Sequence, residues 1–239
     1  LAGGTLEVFG DTIQLNSGVV YVAGGWVSLK AFGASAEGDG ITLAGESRID
    51  VSGNDYAPGG RVTLTALDGG ITQGKNSVID VSAGGQGDAG ILTLSAPLLY
   101  PEDATIYGQV VVQGELLGLA NGGSGGAFNL DAGRIQDASA IIVILTDGGF
   151  DERIDFRSRS GDITIADSDT IRAHLVRLTA DSGKVAVAGT VDASGSKGER
   201  GGIVEVNAGS LTLEGAAIDA SAGEDLYDGS QVGSWAGDD

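Results

Sequence analysis

Apolar residues in this chain alternate with small or polar ones in short runs, and almost every run follows a glycine. A period of two puts every second side chain on the same side of an extended strand, whereas a helix needs a period near 3.6. Three phrases carry the alternation in fixed order. The first, G-G-x-V-x-L-x-A, reads Gly24 to Ala31, Gly59 to Ala66 and Gly201 to Ala208, with looser copies at Gly90 to Ala96, Gly125 to Ala132 and His174 to Ala180. The second is a glycine before alternating apolar residues, as in Gly40-Ile41-Thr42-Leu43, Gly70-Ile71-Thr72, Gly161 to Ile165, Gly183 to Val187 and Gly209 to Leu213. The third is I-D-[VA]-S at Ile49 to Ser52, Ile79 to Ser82, Val191 to Ser194 and Ile218 to Ser221, with a partial copy at Gln136-Asp137-Ala138-Ser139.

The aspartates of the third phrase are 30 residues apart from Asp50 to Asp80 and 27 apart from Asp192 to Asp219. The longer gaps are close to twice that, so one repeat corresponds to one turn of a solenoid. These observations predict an all-β, right-handed parallel β-helix (solenoid) with three short strands per coil and about eight coils. Residues 1–239 form a single segment of it. Val27, Val62, Leu92 and Val204 should share one interior ladder, with coils stacked about 4.8 Å apart into a rod of about 40 Å. The pattern weakens near 97–123 and 138–161, where irregular coils or excursions are expected, with a short helix as one form of the second. The apolar patch Ala140 to Leu145 reads as a buried strand. Loops after the third strand differ in length, which predicts insertions along one edge of the rod.

Composition narrows the class. Glycine supplies 43 of 239 residues and proline 3, while apolar residues stay at 41%, so the chain has a core and many tight corners and is neither collagen nor a disordered linker. A formal charge of -20 repels nucleic acid and anionic lipid, although divalent cations could screen it or bridge copies. Cysteine is absent, which rules out disulfides, zinc-thiolate clusters and thiol nucleophiles. No run of about 18 apolar residues offers a membrane-spanning helix, so membrane insertion is not expected. The chain begins at Leu1 without methionine, and both ends look like positions inside the repeat, so a longer parent protein is expected.

With these phrases in view, the chain resembles the filamentous haemagglutinin-like exoproteins, large passengers of two-partner secretion in Gram-negative bacteria. The residues that carry the resemblance are Gly59 to Ala66, Ser77 to Ala83, Gly148 through Arg157, Gly161-Asp162, Leu178 to Asp181, Gly189 to Gly195 and Leu211 to Ser221. The resemblance implies a β-helical shaft that is secreted to the cell surface through an outer-membrane transporter. It also implies adhesion to host or neighbouring cell surfaces, aggregation, biofilm or self-association into surface filaments. An autotransporter passenger would differ only in its export partner.

Candidate chemistry is sparse, and no cofactor and no catalytic residue is assigned. Polysaccharide-degrading β-helices resemble one another in an aspartate pair, a Gly-His-Gly and an Arg-x-Lys; the single histidine, His174, has no such company. The densest charge cluster holds Asp151, Glu152, Arg153, Asp155, Arg157 and Arg159. Of these, Asp151, Arg153, Asp155, Arg157 and Arg159 are the candidate ligand-binding residues for a carbohydrate or carboxylate, and the competing reading is a solvated network of ion pairs. Gly84 to Ala89 approaches the calcium nonapeptide G-G-x-G-x-D but has its aspartate one position early, which favours a loop. The recurring Asp50, Asp80, Asp192 and Asp219 could line up to bind cations, or each could accept hydrogen bonds from its own corner in an Asx turn. No phosphate loop opens a helix; Gly183-Lys184-Val185 leads into a strand pattern. The expected function is a structural or adhesive shaft, with a polysaccharide-binding or polysaccharide-degrading β-helix as the alternative.

Overall fold

Strand alternation decides which residues face inward, and the coils close because every apolar row meets the same row one turn later. The computed structural model describes residues 3–55, 57–98, 108–195 and 200–223. Over them the chain winds as a parallel β-helix of eight coils. Each coil opens on a long face, whose strands are Thr5–Gly10, Trp26–Ala31, Arg61–Ala66, Ile91–Ala96, Ala127–Ala132, Arg153–Ser158, Leu175–Val187 and Ile203–Leu213, parallel throughout. A second face stacks Ile13–Asn16, Asp39–Ala44, Gly70–Gln73 and Val110–Val112; a third stacks Val19–Tyr21, Arg48–Asp50, Val78–Asp80 and Glu115–Leu117. Further along, the second face resumes at Ile163–Ile165, paired with the end of Leu175–Val187, which bends around the corner past an irregularity between Ala180 and Lys184. The third face resumes with Thr170–Arg172, Thr190–Asp192 and Ala217–Asp219.

The core is two apolar rows on the long face, two on the second face, such as Ile41 with Leu43 and Ile163 with Ile165, and one on the third. Leu6, Val27, Val62, Leu92, Phe128, Ile154, Val176 and Val204 are successive partners in register, so the expected ladder of Val27, Val62, Leu92 and Val204 is present. Val8, Leu29, Leu64, Leu94, Leu130, Phe156, Leu178 and Val206 form the second row. Interior members such as Val62, Leu64 and Val176 are wholly buried. The doubled glycine of the first phrase has a steric cause. Gly25, Gly60 and Gly90 stack at the entry to the long face, and the Cβ of an alanine at Gly60 or Gly90 would collide with the carbonyl oxygen of the glycine one coil before it.

One coil departs from the three-strand plan. After Ala127–Ala132 the chain forms helix α1, Ala138–Asp147, in place of second-face and third-face strands. The patch Ala140 to Leu145 is therefore helical, which corrects the reading as a buried strand. Its residues satisfy a helical period better than an alternating one: Ala138, Ile141, Ile142 and Leu145 are buried while Val143 is exposed. The Asp137 side chain accepts from the Ala140 amide at 2.9 Å and caps the helix N-terminus. Thus the partial copy of the third phrase starts a helix, because its aspartate receives an amide three residues on instead of two. A helix is about 10 Å across against a coil spacing of about 4.8 Å. The extra height is matched by large side chains, with Phe128 edge-on to both Phe150 and Phe156 at centroid distances of 6.0 and 6.1 Å. Ser139 donates to Asp169 at 2.5 Å and ties the helix to the corner of the following coil.

The other weak stretch is more regular than the sequence suggests. Val110–Val112 and Glu115–Leu117 continue the second and third faces in register with Ile71 to Gln73 and Val78 to Asp80. Residues 99–107 of the stretch expected to be irregular near 97–123 lie outside the described residues.

Candidate functional site

Strand alternation leaves Asp155 and Arg157 on one outward face, coil stacking gives them partners on neighbouring coils, and Asp151 sits apart at a corner. Asp155, Arg157 and Arg159 point outward from the long face, and each pairs with a residue on a neighbouring coil. Arg159 meets Asp131 in two hydrogen bonds of 2.6 and 2.8 Å. Arg157 holds both carboxylate oxygens of Asp181 at 2.9 to 3.1 Å. Asp155 receives Arg177 at 3.0 Å, and Arg177 also reaches Glu205 at 2.6 Å, so this chain of charges spans three coils. The Asp131 hydrogen bond raises the affinity of the Arg159 guanidinium for its proton, and the Glu205 hydrogen bond leads the same effect at Arg177. Arg153 stands at the start of the strand beside Ala127 and Leu175, and its buried Nε has no hydrogen-bond partner among the described residues. The arrangement is an ion-pair ladder on one face, in which Arg157, Arg159 and Arg177 are each already held by carboxylates of neighbouring coils.

The same face carries different chemistry on its earlier coils. There the outward rows are Ser28, Thr63, Thr93 and Asn129, and beside them Lys30, Thr65, Ser95 and Asp131. Asn129 donates to the Thr93 hydroxyl at 3.1 Å.

The third-phrase aspartates stack where the repeat places them, with Asp50 beside Asp80 and Asp192 beside Asp219. Each uses one carboxylate oxygen to accept the amide of the serine two residues on, at 2.8 to 3.0 Å for Ser52, Ser82, Ser194 and Ser221. The Asx-turn reading holds. Like charges one coil apart are reconciled by Arg48, which donates to Asp50 at 3.0 Å and to Asp80 at 2.6 Å. Sequence reasoning missed Arg48, although its place just before I-D-V-S puts it on the outward side next to both carboxylates. Burial pushes the Asp50 carboxyl up, but hydrogen bonds from Ser52 and Arg48 outweigh burial and leave it below its ordinary value.

Gln73 was also missed. It occupies an inward position between Leu43 and Val112, is 1% exposed, and donates to the Glu115 and Ser77 carbonyls at 3.0 and 3.4 Å. The aspartate of the calcium-like loop, Asp88, accepts the Ser124 amide of the next loop at 2.9 Å. Among the described residues no three His, Asp or Glu side chains come together to hold a metal ion. Lys184, in the glycine-lysine motif, faces Asp162 at 3.8 Å within the strand region.

Asp151 lies apart from the rest of its cluster. It sits at the corner between the third and long faces, where its side chain accepts the Gly125 amide at 2.8 Å and its carbonyl accepts the His174 amide at 2.7 Å. This corner carries the loops of variable length that the sequence pattern predicts along one edge. The connections at 51–60, 81–90, 118–126 and 193–202 are long, whereas those at 148–152 and 173–174 are short. Two short connections between long ones leave a groove of about 870 Å³. Glu152 and His174 lie on the short connections and Arg172 ends the strand that leads into the second of them; Asp88 and Ser124 line the groove from one side, and Asp192 and Arg200 from the other.

In comparisons with known proteins, no family model, no curated protein and no solved structure matches the chain.

Proposed function

We propose that this chain is a shaft segment of a large secreted bacterial surface protein, with a structural or adhesive role. The observation that carries the proposal is the continuous long face: eight parallel strands hold two unbroken apolar rows from one end of the described residues to the other. Each coil adds backbone hydrogen bonds and an apolar rung to its neighbours, so stiffness and protease resistance build up with repeat number. The resemblance to filamentous haemagglutinin-like exoproteins supports export through an outer-membrane transporter and a place on the cell surface. The ladder of ion pairs and the hydrogen-bonded corner aspartates support a solvent-facing scaffold.

The test is carried out on source cells. Antibodies against the chain should label intact, unpermeabilised cells, and deleting the gene should reduce attachment and cell aggregation. The full-length gene should restore both, and a Val62→Asp version should not. An intracellular protein, or attachment unchanged by deletion, would overturn the proposal.

A further inference from the structure

The groove on the loop edge has a composition that the shaft role does not use. Its size falls within the roughly 300–1,000 Å³ of ordinary ligand sites, but such sites are mostly apolar and this one is not. Phe150, its one aromatic lining residue, is 1% exposed, and glycines occupy much of the remainder. Three of its four carboxylates are held in place before any ligand arrives, and the fourth, Glu152, is exposed beside them. Asp88, Asp151 and Asp192 each accept a loop amide with Oδ1, from Ser124, Gly125 and Ser194. Among the described residues the second oxygens of Asp88 and Asp151 accept nothing further, and that of Asp192 lies 3.6 Å from Arg172. Arg172 and His174, adjacent to the floor, add donors; Arg172 is 63% exposed at its side chain.

Chemistry selects the ligand class. A nucleic acid or other polyanion would meet several carboxylates and a chain of net charge -20. An apolar ligand or a peptide anchored by apolar side chains would find little to bury. A polyamine would be opposed by Arg172 and Arg200, which line the same groove. Fixed acceptors alternating with guanidinium and imidazole donors suit vicinal hydroxyl groups, each of which both donates and accepts. We propose that this groove is a binding site for a neutral oligosaccharide, with Asp88, Asp151 and Glu152 accepting from sugar hydroxyls and Arg172 and His174 donating to them.

The proposal is independent of the shaft role, because a chain that fails to bind sugar can still stack its coils. Its test is saturation-transfer NMR on the whole chain with four neutral tetrasaccharides, of gluco, manno, xylo and galacto configuration, and with tetragalacturonate. At least one neutral sugar should receive saturation and shift the amide resonances of Gly123, Gly149 and Gly195. Arg172→Ala and Glu152→Gln should each weaken that binding by at least about tenfold. Asp155→Asn, on the long face, should leave it unchanged. Far-UV circular dichroism confirms that each variant remains folded. Saturation of none of the neutral sugars, equal binding by Arg172→Ala, or preference for tetragalacturonate would overturn the assignment.

Discussion

At the residue scale, one position along a strand decides between core and solvent. Leu64 is wholly buried between Leu29 and Leu94, while its neighbour Thr63 faces outward between Ser28 and Thr93. Leu64→Ala should cost about 2–5 kcal/mol in chemical denaturation, and Thr63→Ala should stay within about 0.5 kcal/mol. Equal effects would contradict the inward assignment. The corner aspartates respond to pH with a definite sign. The folded Asp50 carboxyl lies below its ordinary 3.8, so its contribution is fully present above 3.8 and disappears as pH falls through the lower folded value. Asp50→Asn should therefore melt below the parent at pH 7, and the two melting temperatures should converge in acid below pH 3.8. A constant difference across that range would refute the role of the charged form. Much at this scale could be read from sequence, since alternation identified the inward residues and D-x-S identified the corner turns. Arg48 and Gln73 were not legible, because a bridge between coils requires register, and the phrases alone give only approximate register.

At the scale of elements, α1 is the place where local and global signals competed. Ala140 to Leu145 is apolar enough for a buried strand, yet Asp137 supplies a cap and the buried positions follow a helical period. Replacing two strands by a helix removes the second-face and third-face ladders from one coil, and only the long face remains continuous across it. Packing against Glu115–Leu117, Ile163–Ile165 and Thr170–Arg172, together with the Ser139 to Asp169 bond, has to hold the seam. Asp137→Ala should destabilise the helix by about 1 kcal/mol and raise amide hydrogen exchange across 138–147 and the adjoining 163–172 before it affects Arg61–Ala66. Uniform exchange along the rod would show that the seam is no weaker than the other coils. The candidate ligand-binding residues divide for a related reason. The chain turns a corner at Asp151, which sets that side chain apart, whereas alternation keeps Asp155 and Arg157 on one outward face, where carboxylates and guanidiniums of neighbouring coils already engage them. The groove was visible only as unequal loop lengths, a signal that names the edge and not the side chains meeting there.

For the whole molecule, length comes from addition of coils. The sequence carries a formal charge of -20, and among the described residues Arg48 and Asp80, Arg159 and Asp131, and Arg177 and Glu205 pair opposite charges across coils. The absence of cysteine makes the stack open to site-specific spin labelling. Thr65, Ser95, Asp131, Arg157, Thr179 and Asn207 are successive register partners on the outside of the long face. Labels introduced as Ser95→Cys with Asn207→Cys lie four coils apart, and as Thr65→Cys with Asn207→Cys five apart. Double electron-electron resonance should return distances of about 19 and about 24 Å, a growth of about 4.8 Å per coil, each with a narrow distribution. Distances that do not lengthen with the added coil, or that spread broadly, would contradict a single parallel stack.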